Sequence, residues 1–81
     1  MPGSELRKRS VLVAGHKTSV SLEAAFWDEL RSIATARDMS LNGLIAEIDQ
    51  SREGNLSSAI RLYVLDWLRS RSVGVASRQK S

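Results

Sequence analysis

The sequence predicts a mainly α-helical domain headed by one N-terminal β-strand. Three observations carry this. A stretch rich in β-branched and hydroxyl residues alternates apolar and polar positions up to Leu22. From Glu23 onward the apolar residues recur with helical spacing. Between these patterns and the chain ends the charge is parted by sign.

The alternating segment is Arg9 to Leu22, RSVLVAGHKTSVSL. Val11 and Val13 share one face and Leu12 the other. After Gly15, Val20 and Leu22 share a face, while Lys17, Ser19 and Ser21 point the opposite way. This is the pattern of a strand with one apolar and one polar side. Gly15 reads either as a bulge within one long strand or as a turn between two.

In the first helix, about residues 23–37, Phe26, Leu30, Ile33 and Ala34 form a stripe at i, i+4, i+7 and i+8. Glu23 suits its positive end and Arg37 its negative end. Asp38 and Met39 make a short link. Ser40 is an N-cap residue, because its hydroxyl can accept from a backbone N–H two or three positions on. Leu41, Leu44, Ile45 and Ile48 then give the stripe of a second helix, about 41–52. Gly54 is a left-handed stop and Asn55 a cap for a third helix, about 56–70. There Ile60, Val64, Trp67 and Leu68 form one stripe and Leu62 and Leu65 a second. A helix apolar over most of its circumference calls for burial on more than one side.

The remaining residues divide the chain. Residues 1–8 read as a flexible basic arm, 9–71 as the folded domain, and 72–81 as a flexible basic tail. Residues 1–17 carry four cations against Glu5. Residues 18–68 carry eight carboxylates against four arginines, and residues 69–81 carry four cations and no acid. Basic ends on an acidic body suit contact with a polyanion.

Composition removes other classes. With no cysteine and one histidine, His16, there is no thiolate zinc site and no multi-histidine site within one chain. No cofactor is expected. No nucleophile elbow or phosphate-cradling glycine loop is present, so no enzymatic activity is expected. No run of about 18 apolar residues marks a membrane span. MPGSELRKRS lacks the apolar segment of a signal peptide, so a cytoplasmic protein without membrane attachment is expected.

A lone strand exposes unpaired peptide groups along both edges. The economical remedy is pairing with the same strand of a second chain, which makes an intermolecular antiparallel two-stranded ribbon and an intertwined homodimer. Such a ribbon fits the major groove of B-DNA.

The run KTSVSLEAAFWDELRSIATARDMSLNGLIAEI, over roughly residues 16–52, resembles the ribbon-helix-helix, or Arc/MetJ-type, DNA-binding fold. The GHKTSVSLE start and the trailing NLSSAIR helix resemble a bacterial subgroup with an extra C-terminal helix. The resemblance implies sequence-specific binding of double-stranded DNA by a homodimer acting as a transcriptional regulator. It places the outward trio Lys17, Ser19 and Ser21 against base edges, and sets a DNA phosphate on Ser40, Leu41 and Asn42 at the second helix's N-terminus. Where the family often has glycine in the turn before that helix, this chain has Asp38. The cations Arg7, Lys8 and Arg9 are candidates for further phosphate contacts. Trp27, Tyr63 and Trp67 ride on helical stripes and read as core or dimer contacts. An alternative reading is an antitoxin-like interaction module, in which the third helix and basic tail bind a partner protein.

Overall fold

The computed structural model describes residues 2–80, and the side chains of 3–71 within them. After a short 3-10 turn, Pro2–Ser4, strand β1 spans Leu6–Val13 and strand β2 spans His16–Glu23. Helices α1 (Ala24–Ala36), α2 (Leu41–Ser51) and α3 (Leu56–Lys80) follow. Among the described residues no helix is long and apolar enough to cross a membrane.

The expected single strand is two strands. β1 and β2 pair antiparallel within the chain, from Val13 opposite His16 to Leu6 opposite Glu23. The ribbon therefore forms inside one chain, where pairing between two chains was expected. The cause lies in the turn. Ala14 and Gly15 both take positive φ, 53° and 81°. That is the mark of a type I′ turn, whose twist matches that of the flanking strands. Ala14 carries the strain of the left-handed region and Gly15 does not. Residues 6–8, expected in the N-terminal arm, are the first residues of β1. The separate tail expected over 72–81 falls on residues whose side chains, and in Ser81 whose backbone, lie outside those described.

Alternation sorts the hairpin into two faces. Val11, Val13, Val20 and Leu22 turn inward and are buried. They meet Trp27, Leu30, Ile33 and Ala34 of α1, Leu44, Ile45 and Ile48 of α2, and Ile60 and Val64 of α3. Trp27, rather than the expected Phe26, completes the α1 stripe: it is 1% exposed, whereas Phe26 is only partly buried. Trp27, Leu30 and Ala34 stand at i, i+3 and i+7, a helical stripe as regular as the expected one. The Trp27 indole Nε1 donates to the Arg7 carbonyl at 3.0 Å, tying α1 to β1.

The α1–α2 turn uses Asp38 at φ 58°. The Met39 N–H donates to the Ala34 carbonyl (2.9 Å) and the Asp38 N–H to the Thr35 carbonyl (3.0 Å), the two bonds of a Schellman closure. Aspartate thus fills a left-handed position that glycine often takes, since its short polar side chain tolerates that region. Ser40 caps α2 as expected, its Oγ accepting from the Gly43 N–H at 2.9 Å. Gly54 sits at φ 94°, and Asn55 Oδ1 accepts from the Ser58 N–H at 2.8 Å to cap α3.

Two ion pairs lock the helices. Arg37 donates to both Glu47 oxygens, at 2.7 and 3.2 Å, and to the Tyr63 hydroxyl at 2.8 Å, joining α1, α2 and α3. Arg61 on α3 grips Glu23 at 2.9 and 3.3 Å. Of the stripe expected to face the chain's own core, Ile60 and Val64 are buried and Trp67 is half-buried. Leu68 is 40% exposed. The second stripe lies open within one chain, with Leu62 65% and Leu65 45% exposed.

Candidate nucleic-acid interface

The outer face of the hairpin is set by register. A residue and its cross-strand partner share a side of the sheet. Lys17 stands opposite Leu12, Ser19 opposite Ser10, and Ser21 opposite Lys8. The three residues expected to read bases therefore do share one outward face. They are joined there by four side chains of β1: Leu6, Lys8, Ser10 and Leu12. Lys17 and Ser19 are exposed and Ser21 is half-buried, because α3 packs beside it and the Ser57 hydroxyl donates to the Ser21 carbonyl at 3.1 Å.

The face carries two ammonium groups and three hydroxyls. Its one carboxylate, Glu23 at the far end, is neutralised by Arg61. That hydrogen bond, with smaller contributions from a backbone hydrogen bond and Arg61's charge, holds the Glu23 carboxyl below the usual glutamate range. The outward surface is thus cationic along most of its length.

The three arginine and lysine residues expected to touch phosphates are split by the same alternation. Lys8 lies on the outward face with the reading trio. Arg7 and Arg9 belong to the opposite side of β1. Arg9 lays its guanidinium over the Trp27 ring, 5.4 Å from the centroid, and Arg7 reaches Glu5 at 3.4 Å. Both remain solvent-exposed and flank the sheet together with Arg31, in the middle of α1. Ser40, Leu41 and Asn42 stand at the N-terminus of α2. Asn42 is exposed, Leu41 is half-buried, and the Ser40 hydroxyl is engaged with Gly43.

Ser10 and Leu12 were missed as site residues. Their signal was the alternation of β1 itself, with Leu6, Lys8, Ser10 and Leu12 on one side and Arg7, Arg9, Val11 and Val13 on the other. The two arginines hide that pattern. They occupy inward positions but lie at the sheet's margin, where their aliphatic stems cover apolar surface and their charged ends reach water.

Three comparisons bear on this surface. No curated protein matches the chain. Among solved structures it is similar to an uncharacterized protein from Bordetella pertussis Tohama I, at 27% identity and a TM-score of 0.73. That match covers 99% of this chain and 66% of the other, so the chain spans less than two thirds of its neighbour. A sequence model described as a ribbon-helix-helix domain matches residues 6–68. The match takes in the hairpin, both shorter helices and the buried half of α3, so the chain belongs to the ribbon-helix-helix domain family, whose members usually bind DNA.

Proposed function

We propose that the protein is a homodimeric transcriptional regulator that binds double-stranded DNA in a sequence-specific way. The observation that carries this is the outward face of the hairpin, where Lys17, Ser19 and Ser21 stand exposed or half-exposed beside Lys8 and the face's carboxylate, Glu23, is held by Arg61. A lysine ammonium can donate to guanine O6 and N7, and a serine hydroxyl can donate or accept at any base edge. Lys8 is placed for a phosphate flanking the groove, and Arg7 and Arg9 for phosphates beyond the sheet margin. The first N–H groups of α2, at Leu41 and Asn42 behind the Ser40 cap, have no partner within the helix and favour an anion.

The second copy is called for by α3. Leu62 and Leu65 expose apolar surface that one chain does not cover. The same observation favours a second reading, an antitoxin-like module in which α3 holds a different protein.

Duplex binding by fluorescence anisotropy, with a site selected from a random pool, tests the main reading. Lys17→Ala and Ser19→Ala each weaken specific binding by about 1–3 kcal/mol while leaving the circular-dichroism spectrum unchanged. Wild-type affinity in both variants refutes reading by this face.

A further inference from the structure

We propose that the complete two-stranded reading head lies within one chain, so that Ser10 and Leu12 of β1 set base preference together with Lys17 and Ser19 of β2. This rests on the DNA-binding reading above and extends it to residues that reading does not assign.

The first argument is dimensional. Neighbouring strands lie about 4.8 Å apart, so one hairpin with its side chains matches a major groove about 12 Å wide. Joining two hairpins edge to edge would spread four strands over three such spacings, about 14 Å between outer strand axes, before any side chain is counted. One hairpin enters the groove and a four-stranded sheet does not.

The second argument is occupancy. The C-terminal end of the β2 edge that another strand would need is already engaged by α3. Ser57 bonds the Ser21 carbonyl at 3.1 Å, and Arg61 holds Glu23 at 2.9 Å. The polar mate of β2 is therefore β1 of the same chain.

The third argument is chemical. Leu12 is 53% exposed at the turn end of the face, among its lysines and serines and directly opposite Lys17, while the face's other leucine, Leu6, stands at the far end opposite Glu23. An apolar side chain there has a counterpart in the groove: the C5 methyl of thymine, next to the guanine edge that Lys17 can reach. Ser10 and Ser19 form a facing pair of hydroxyls at the centre of the ribbon. The pair can serve donors and acceptors on adjacent bases.

The test begins with a site selected by the wild-type protein, in which each thymine is replaced in turn by deoxyuridine, which lacks the methyl group. At one position the wild type loses about fourfold in affinity, the worth of one buried methyl-sized group, whereas Leu12→Ala binds both duplexes alike. Ser10→Ala relaxes the preference at the centre of the site. Separately, Ser10→Cys with Ser19→Cys, in a chain otherwise free of cysteine, oxidises to an intrachain disulfide and runs as a monomer on a non-reducing gel. If Lys17→Ala and Ser19→Ala alter the selected site while Ser10→Ala and Leu12→Ala do not, the inference is overturned and the DNA-binding reading stands. Crosslinking only between chains also overturns it. If the wild type selects no site, both are overturned.

Discussion

Trp27 is the side chain through which the hairpin is fastened to the helical body, and its removal should be the most damaging single change to the site's support. It is 1% exposed, donates to the Arg7 carbonyl at 3.0 Å and lies under the Arg9 guanidinium. Truncating a buried tryptophan to alanine costs about 3–5 kcal/mol, which includes the cavity left behind. Trp27→Phe keeps most of the ring in place and forfeits the hydrogen bond, for a loss of about 1–2 kcal/mol. A domain of this size is stabilised by only about 0.05–0.15 kcal/mol per residue, so the alanine variant stands near the limit of folding. Urea unfolding followed by circular dichroism, at one fixed protein concentration, measures both. With a urea dependence of about 1–3 kcal/mol per molar, Trp27→Ala lowers the midpoint by roughly 1 M or more, and Trp27→Phe by clearly less. Equal shifts in the two variants would refute the reasoning, because ring burial would then contribute nothing to holding β1 on α1.

Asp38→Gly removes the left-handed strain at φ 58° and raises stability by about 0.5–1 kcal/mol after the entropy cost of glycine, read as a higher thermal midpoint; a lower midpoint would mean that the aspartate side chain stabilises the turn. The Glu23 carboxyl is held below the ordinary value of 4.5 by Arg61, so its contribution is fully present above that value and is lost as pH falls through the lower folded-state value. Thermal midpoints taken from neutral to strongly acid pH should therefore fall less steeply in Glu23→Gln than in the wild type. Leu62→Ala lowers stability if a second copy covers α3, and the wild-type midpoint then rises with protein concentration. If Leu62 instead belongs to a site for another protein, its loss leaves the isolated protein unchanged and abolishes capture of that protein.

Much of the helical body could be read from the residues, because its signals are local. The Ser40 and Asn55 caps each act on neighbours within three positions and are found where expected, whereas α2 ends at Ser51 on an extended Arg52 and the expected stop, Gly54, takes its positive φ two residues further on. The buried stripe of α2 is also as expected. Phe26 and Trp27 are adjacent aromatic residues, and either could begin a stripe through Leu30. The choice of Trp27 depends on the Arg7 carbonyl, twenty positions away, to which it donates. The hairpin was obscured for two reasons. Ala14 is not among the residues that favour positive φ, and Arg7 and Arg9 place charges where an inward alternation calls for apolar groups. Of the candidate site, the outward trio of β2 was legible from alternation alone. The β1 half required the register, which depends on the turn.

The central claim is that a cationic hairpin face binds duplex DNA, and a salt titration of duplex affinity tests it most directly. Binding measured across ionic strengths gives a log–log slope of about −0.9 for each phosphate neutralised. The account predicts a steep slope for the wild type, reduced by about 0.9 in Lys8→Ala, whereas Lys17→Ala weakens specific binding with little change in slope. A slope near zero in the wild type, or the same slope when both lysines are gone, would contradict it.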